Sequence, residues 1–187
     1  MIAAPPNYIV GIGGSAGGLN AYKALLDALS PHTGMAFVII AHLLPTANSQ
    51  LAEILSLHTT MDVVLASHAT PIQANCVYII PPNADLTIID PAIFKIVSPR
   101  MRGNNQVDLF LTSLAEVMGS HAIAIILSGY NGDGAEGCRN IKKHGGATFA
   151  QDQSAAVNSM PLSAVATGCV DFVMSPGQIA EQISKRT

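Results

Sequence analysis

A chain of 187 residues fits one domain and can bury about 70% of its unfolded surface without disulfides or metals. Only 11% of the residues are charged, 49% are hydrophobic and the formal net charge is −3, which excludes a basic nucleic-acid surface. No apolar run reaches the ~20 residues needed to span a bilayer, and Met1-Ile2-Ala3-Ala4-Pro5-Pro6 lacks the charged and apolar regions of a secretory signal.

Tyr8-Ile9-Val10 reads as a strand, Gly11 to Gly18 as a glycine turn, and Leu19 to Leu26 as a helix with apolar residues at helical spacing. Ser30-Pro31-His32-Thr33-Gly34 breaks the chain, and Met35 to Ala41 is apolar throughout, as in a strand covered on both faces. His42 and Leu43-Leu44-Pro45 follow, then a helix from near Asn48-Ser49 through Leu55 and a short strand at Val63-Val64-Leu65. Cys76 to Ile80 is a strand halted by Pro81-Pro82-Asn83. Leu86 to Ile89 and Ile93 to Val97 flank Asp90-Pro91-Ala92 as an antiparallel hairpin, expected to extend an otherwise parallel sheet.

Ser98 to Gln106 is polar and reads as a loop before a helix from Val107 to Met118. Ala122 to Leu127 is the strongest buried strand, and it ends in Ser128-Gly129-Tyr130-Asn131-Gly132-Asp133-Gly134. A helix from Ala135 to Lys143, a strand at Ala147 to Ala150, a helix at Pro161 to Ala166, a strand at Val170 to Met174 and a helix from Pro176 to Ser184 complete the chain. This alternation predicts an α/β fold: a doubly wound, mostly parallel sheet flanked by helices, with an antiparallel hairpin in the middle of the chain.

In such sheets ligands bind outside the carboxyl ends of the strands. Ser15, His42 and Asp133 each stand just past such an end. Gly13-Gly14-Ser15-Ala16-Gly17 has the form G-x-S-x-G, an elbow that presents a nucleophilic serine. A serine hydroxyl needs a base to take its proton and a third group to hold that base. His42 and Asp133 would supply both. Taken singly, His42 reads more readily as a core or loop histidine, and Asp133 reads equally as the N-cap of the helix that follows it.

Gly11-x-Gly13-x-x-Ala16 also fits a dinucleotide fingerprint. That reading needs an acid about 20 residues on, where Ile40-Ala41-His42 has none. Metal-ligand spacings are absent, so no metal and no cofactor are expected. Cys76, Cys138 and Cys169 form no CxxC pair, which suits a reduced, cytoplasmic setting. The low charge content suggests that some surface is covered by a partner.

Several segments, taken in order, resemble the catalytic domain of the chemotaxis-type protein-glutamate methylesterases. They are Ile9 to Gly18, Ala41 to Pro45, Val77 to Pro82, Val107-Asp108-Leu109-Phe110, Ile126 to Gly129 with Asp133-Gly134, and Met160-Pro161 with Ala164 to Val173. The wording of Tyr78 to Ile88 and Ala164 to Val173 is nearest the branch fused to a receptor methyltransferase.

The resemblance implies a Ser15 nucleophile, a His42 base and an Asp133 orienter. It implies backbone N–H groups of Ala16 and Tyr130 as oxyanion donors, with Gly17 and Met160 on the substrate side. The implied reaction is hydrolysis of glutamate γ-methyl esters, and often deamidation of glutamines, on the cytoplasmic helices of chemoreceptors. A general small-ester hydrolase, a Rossmann-type nucleotide-binding module and a catalytically silent domain of a signalling fusion are the alternatives. Residues 1–187 read as a single catalytic domain with no receiver domain. Other domains of a parent signalling protein are expected partners, and nucleic acid and membrane insertion are not.

Overall fold

The elements form as the hydrophobic pattern dictates, and the computed structural model describes residues 4–42, 48–101 and 103–186. The opening Met1 to Ala3 and the Leu43-Leu44-Pro45 stretch lie outside the described residues. Four strands come first: β1 (Ile9–Gly14), β2 (Ala36–Ala41), β3 (Asp62–Leu65) and β4 (Cys76–Ile79). β5 (Asp85–Ile89) and β6 (Ile93–Val97) make the hairpin, and β7 (Ala122–Ile126), β8 (Ala147–Gln151) and β9 (Phe172–Met174) follow. Seven of these form one parallel sheet in the order β3-β4-β2-β1-β7-β8-β9.

The chain leaves β1 for β2 on one side and leaves β7 for β8 on the other, so the winding reverses between β1 and β7. There the following helices fall on opposite faces and leave a crevice at the carboxyl ends. Register keeps those ends level, with Gly14 opposite Ala41 and Gly13 opposite Ile126.

Alternation along each strand divides the core. Val10, Ile12, Phe37 and Ile39 face α1 (Gly18–Ala28), α2 (Asn48–Ser56) and α6 (Pro176–Ser184), packing with Tyr22, Leu25, Leu55 and Ile179. Val38, Ile40, Ala124 and Ile126 face the opposite way. They pack with Phe110, Leu111, Ile141 and Met160 from α3 (Gln106–Met118), α4 (Ala135–Lys143) and α5 (Ser159–Ala166). α6 begins as its sequence predicts, with Pro176 in the first turn and a reciprocal Ser175–Gln178 capping box.

Two details differ from the sequence expectation. β1 does not stop at Val10 but runs on through Gly14. Side chains at Gly11 and Gly13 would meet Leu111 at 2.5 Å and Val107 at 2.6 Å, so these glycines let α3 press directly on the strand. The hairpin does not extend the main sheet either; β5 and β6 form a sheet of their own. Pro81 and Pro82 lack ladder N–H groups and turn the chain out after β4. Leu86, Ile88 and Phe94 then join the core on the α3 side, and the Ile88 N–H donates to Ser113 Oγ at 3.1 Å.

Candidate active site

The strand ladder continues one residue beyond β1 and holds the elbow. Ser15 N–H donates to the Ser128 carbonyl at 2.9 Å, and Gly18 N–H donates to the Ser15 carbonyl at 2.9 Å. Gly17, with φ of 72°, is the N-cap of α1, so Ser15 stands two residues before the cap rather than on the helix itself. Its hydroxyl accepts the Tyr130 N–H at 3.0 Å and points at Met160 Sδ, 3.6 Å away. Gly129 makes that approach possible: a Cβ there would lie 2.2 Å from Met160 Sδ and 2.5 Å from Ser15 Oγ.

Ser128 is fully buried and ties the neighbouring loops together. Its N–H donates to Gln151 Oε1 at 2.9 Å, and its Oγ accepts the Val157 N–H at 2.9 Å and reaches the Ala16 carbonyl at 2.8 Å.

At the end of β2, His42 N–H donates to the Gly14 carbonyl at 3.2 Å, which sets the backbone beside the elbow. His42 Nε2 then meets Asp133 Oδ2 at 2.5 Å, with the side chains 14% and 0% exposed. Asp133 is held in turn by the start of α3: Oδ2 accepts Val107 N–H at 3.0 Å and Oδ1 accepts Asp108 N–H at 2.8 Å. Free N–H groups at a helix N-terminus are natural partners for a carboxylate.

Asp133 is therefore not the N-cap of the helix that follows it. That cap is Gly134, which has no side chain to offer. Asp108, in the first turn of the neighbouring α3, takes that role, its Oδ1 accepting Gly134 N–H at 2.9 Å and Gly137 N–H at 2.7 Å. Burial pushes the Asp108 carboxyl above its ordinary range; the Gly137 bond opposes this and the Asp133 charge adds to it.

The fold thus brings Ser15, His42 and Asp133 to the carboxyl edge of β1, β2 and β7. His42 and Asp133 are joined, but Ser15 and His42 share no hydrogen bond in this resting arrangement. Of the proposed oxyanion donors, Tyr130 N–H is on the serine oxygen. Ala16 N–H has no acceptor among the described residues. Gly17 lines a cavity of about 190 Å³ with Ser15, Leu19, Tyr22 and Leu51. Met160 is fully buried behind the serine, as a wall rather than an open surface. His42 faces a smaller cleft that it shares with Asn83 and Arg100.

Four of the other five histidines make side-chain contacts away from this edge: His58 with Asp27, His68 with the Ile96 N–H, His121 with the Asn7 carbonyl and His144 with the Asn140 carbonyl. Sequence reasoning passed over Ser128 and over the capping role of Asp108. An acid in the first turn of α3 is a legible capping signal, but not which helix it serves.

Gly11 and Gly13 lie inside β1 beneath α3, so the dinucleotide spacing forms no open phosphate loop. Among the described residues no group of three His, Cys, Asp or Glu is placed to hold a metal, and no helix is long and apolar enough to cross a membrane.

The family model described as CheB methylesterase matches residues 10–183. A putative protein-glutamate methylesterase/protein-glutamine glutaminase of Leptospira interrogans (serovar copenhageni) is 34% identical over 173 residues, 91% of this chain and 90% of that protein. Protein-glutamate methylesterase/protein-glutamine glutaminase 2 of Saccharophagus degradans is 31% identical over 184 residues, 95% of this chain but 53% of the relative's length. The crystal structure of the Thermotoga maritima CheB methylesterase catalytic domain is similar with a TM-score of 0.90 at 27% identity, covering 96% of this chain and 98% of that one.

Proposed function

Because the chain belongs to the CheB methylesterase family, we propose that it hydrolyses glutamate γ-methyl esters on the cytoplasmic helices of chemoreceptors and deamidates receptor glutamines at the same site. The observation that carries the reading is the elbow serine with Tyr130 N–H aimed at its oxygen, beside a histidine bound to a buried carboxylate.

An acceptor-only carboxylate on Nε2 keeps the imidazole proton there and leaves Nδ1 as the base. Ser15 swings from Met160 to Nδ1, gives up its proton and attacks the ester carbonyl, forming the Oγ–C bond. This movement frees Tyr130 N–H, which with Ala16 N–H holds the tetrahedral oxyanion. Collapse breaks the C–O bond to the methoxy group, which takes the proton from the imidazolium and leaves as methanol. Water, deprotonated by the same histidine, then releases the glutamate side chain and restores Ser15. With a glutamine the leaving group is ammonia.

The chemistry requires no cofactor. The reading treats residues 1–187 as one catalytic domain acting in the cytoplasm, alongside other domains of a signalling protein. The test is fluorophosphonate labelling followed by mass spectrometry, together with methanol release from a methylated receptor fragment. Label on Ser15 and methanol release support the reading; label elsewhere or none overturns it.

A further inference from the structure

We infer that Asp108 is a positioning residue for this reaction: its carboxylate fastens the segment that carries Asp133 and so sets the aim of His42. The inference rests on the Ser15–His42–Asp133 reading above. Two carboxylates exchange places between two helix N-termini. Asp133 takes the N–H groups of Val107 and Asp108 at the start of α3, at 3.0 and 2.8 Å. Asp108 takes those of Gly134 and Gly137 at the start of α4, at 2.9 and 2.7 Å. Residues 133–137 are thus tied to α3 by hydrogen bonds running both ways.

The tie from Asp108 is the one that α4 cannot provide for itself. Gly134, its N-cap, has a φ of 101° and no side chain with which to satisfy the N–H groups of the first turn. Directly beside it, Asp133 must keep Oδ2 on His42 Nε2 while its other contacts stay satisfied. A displacement of about 1 Å in a reacting constellation lowers rates by ~10²-fold. The arrangement also works against stability, because a part-buried carboxyl is set beside a second carboxylate whose charge disfavours its ionisation. A helix start that needed only a cap would be served by serine or threonine without that repulsion.

Three variants separate the possibilities. Asp108→Ala removes the acceptor, Asp108→Asn keeps it without the charge, and Asp108→Glu keeps the charge but moves the oxygen. Turnover of a γ-methyl-glutamyl receptor peptide is measured per active site counted with a fluorophosphonate, and the labelling rate of Ser15 is measured separately. Asp108→Ala and Asp108→Glu are expected to lose about 10- to 100-fold in kcat with little change in KM, while Asp108→Asn stays close to wild type. Labelling rates follow the same order.

Unchanged kcat per site in Asp108→Ala and Asp108→Glu, with only a lower Tm, overturns the inference. So does a loss in Asp108→Asn as deep as in Asp108→Ala. If Asp108→Ala fails to fold, Asp108→Glu against Asp108→Asn decides. A wild type that labels at Ser15 without releasing methanol overturns the methylesterase reading alone, and the labelling rates still decide on Asp108. A wild type that does not label overturns both.

Discussion

The backbone N–H of Tyr130 reaches Ser15 Oγ across 3.0 Å, so one donor of the proposed oxyanion site is already directed at the nucleophile before any substrate binds. Its position is set by Gly129, whose carbonyl accepts Met160 N–H and whose own N–H donates to Val157. Ser15→Ala should fold normally and lose ~10⁴-fold or more in ester hydrolysis, since such groups act as a unit. His42→Gln should fall about as far. His144→Gln, at the end of α4 and far from the crevice, should change little. Turnover of the Ser15 variant above a tenth of wild type contradicts the serine mechanism.

Asp133→Asn is expected to be damaging whichever way its amide sits. Both carboxylate oxygens of Asp133 accept N–H groups, and an amide nitrogen would face a donor on one side or the other. Facing His42, it would favour the wrong imidazole tautomer, lowering kcat by ~10⁴-fold. Facing Asp108 N–H, it would destabilise the start of α3 by about 1–3 kcal/mol. Kinetics and thermal melting on the one variant check both; wild-type values in both would mean that Asp133 neither orients His42 nor holds α3.

Gly129→Ala tests the closeness of the crevice. The new Cβ would sit inside the contact distances of Ser15 Oγ and Met160 Sδ, so the serine loop must shift. We expect a ~10²-fold fall in kcat/KM with the fold retained. Circular dichroism and kinetics on the purified variant are sufficient, and full activity would show that the elbow is pliable.

The raised Asp108 carboxyl makes a pH-dependent statement about stability. The folded chain holds this proton more tightly than the unfolded chain does. The protonated form therefore contributes its stability fully below the ordinary carboxylate pKa of about 3.9, and that contribution is lost as pH rises through the folded value. Asp108→Asn escapes the loss while keeping an acceptor for Gly134 and Gly137. Its Tm should exceed wild type near neutral pH, with the gap closing as the pH falls toward 4. Melting curves across that range check it, and a gap independent of pH is the contrary result.

Tyr22→Phe should be neutral or stabilising, by about 1 kcal/mol. The Tyr22 hydroxyl is buried against Gly14 and Gly18 with no hydrogen-bond partner among the described residues, and burial pushes its pKa up. Chemical denaturation measures the difference. A loss of more than 1 kcal/mol would reveal a partner for the hydroxyl in solution.

The sequence by itself determined the alternation of strands and helices, the placement of Ser15, His42 and Asp133 beyond strand ends, and hence their shared edge. Those properties are local: apolar runs such as Ala122–Ile126 read as buried strands wherever they pack, and parallel crossovers obey one handedness. Only the tertiary structure decided that β1 continues through Gly14, because the reason is α3 lying against Gly11 and Gly13 from a hundred residues away. It also decided that the hairpin leaves the main sheet and that Ser15 rests against Tyr130 and Met160 rather than His42. Asp133 shows the division most clearly. Its carboxylate was bound to satisfy helix N–H groups, as the strand-turn-helix pattern implied, but α3 supplies them and not α4. Which N-terminus lies within reach of a carboxylate depends on how helices stack across the sheet, and spacing along the chain does not carry that distance.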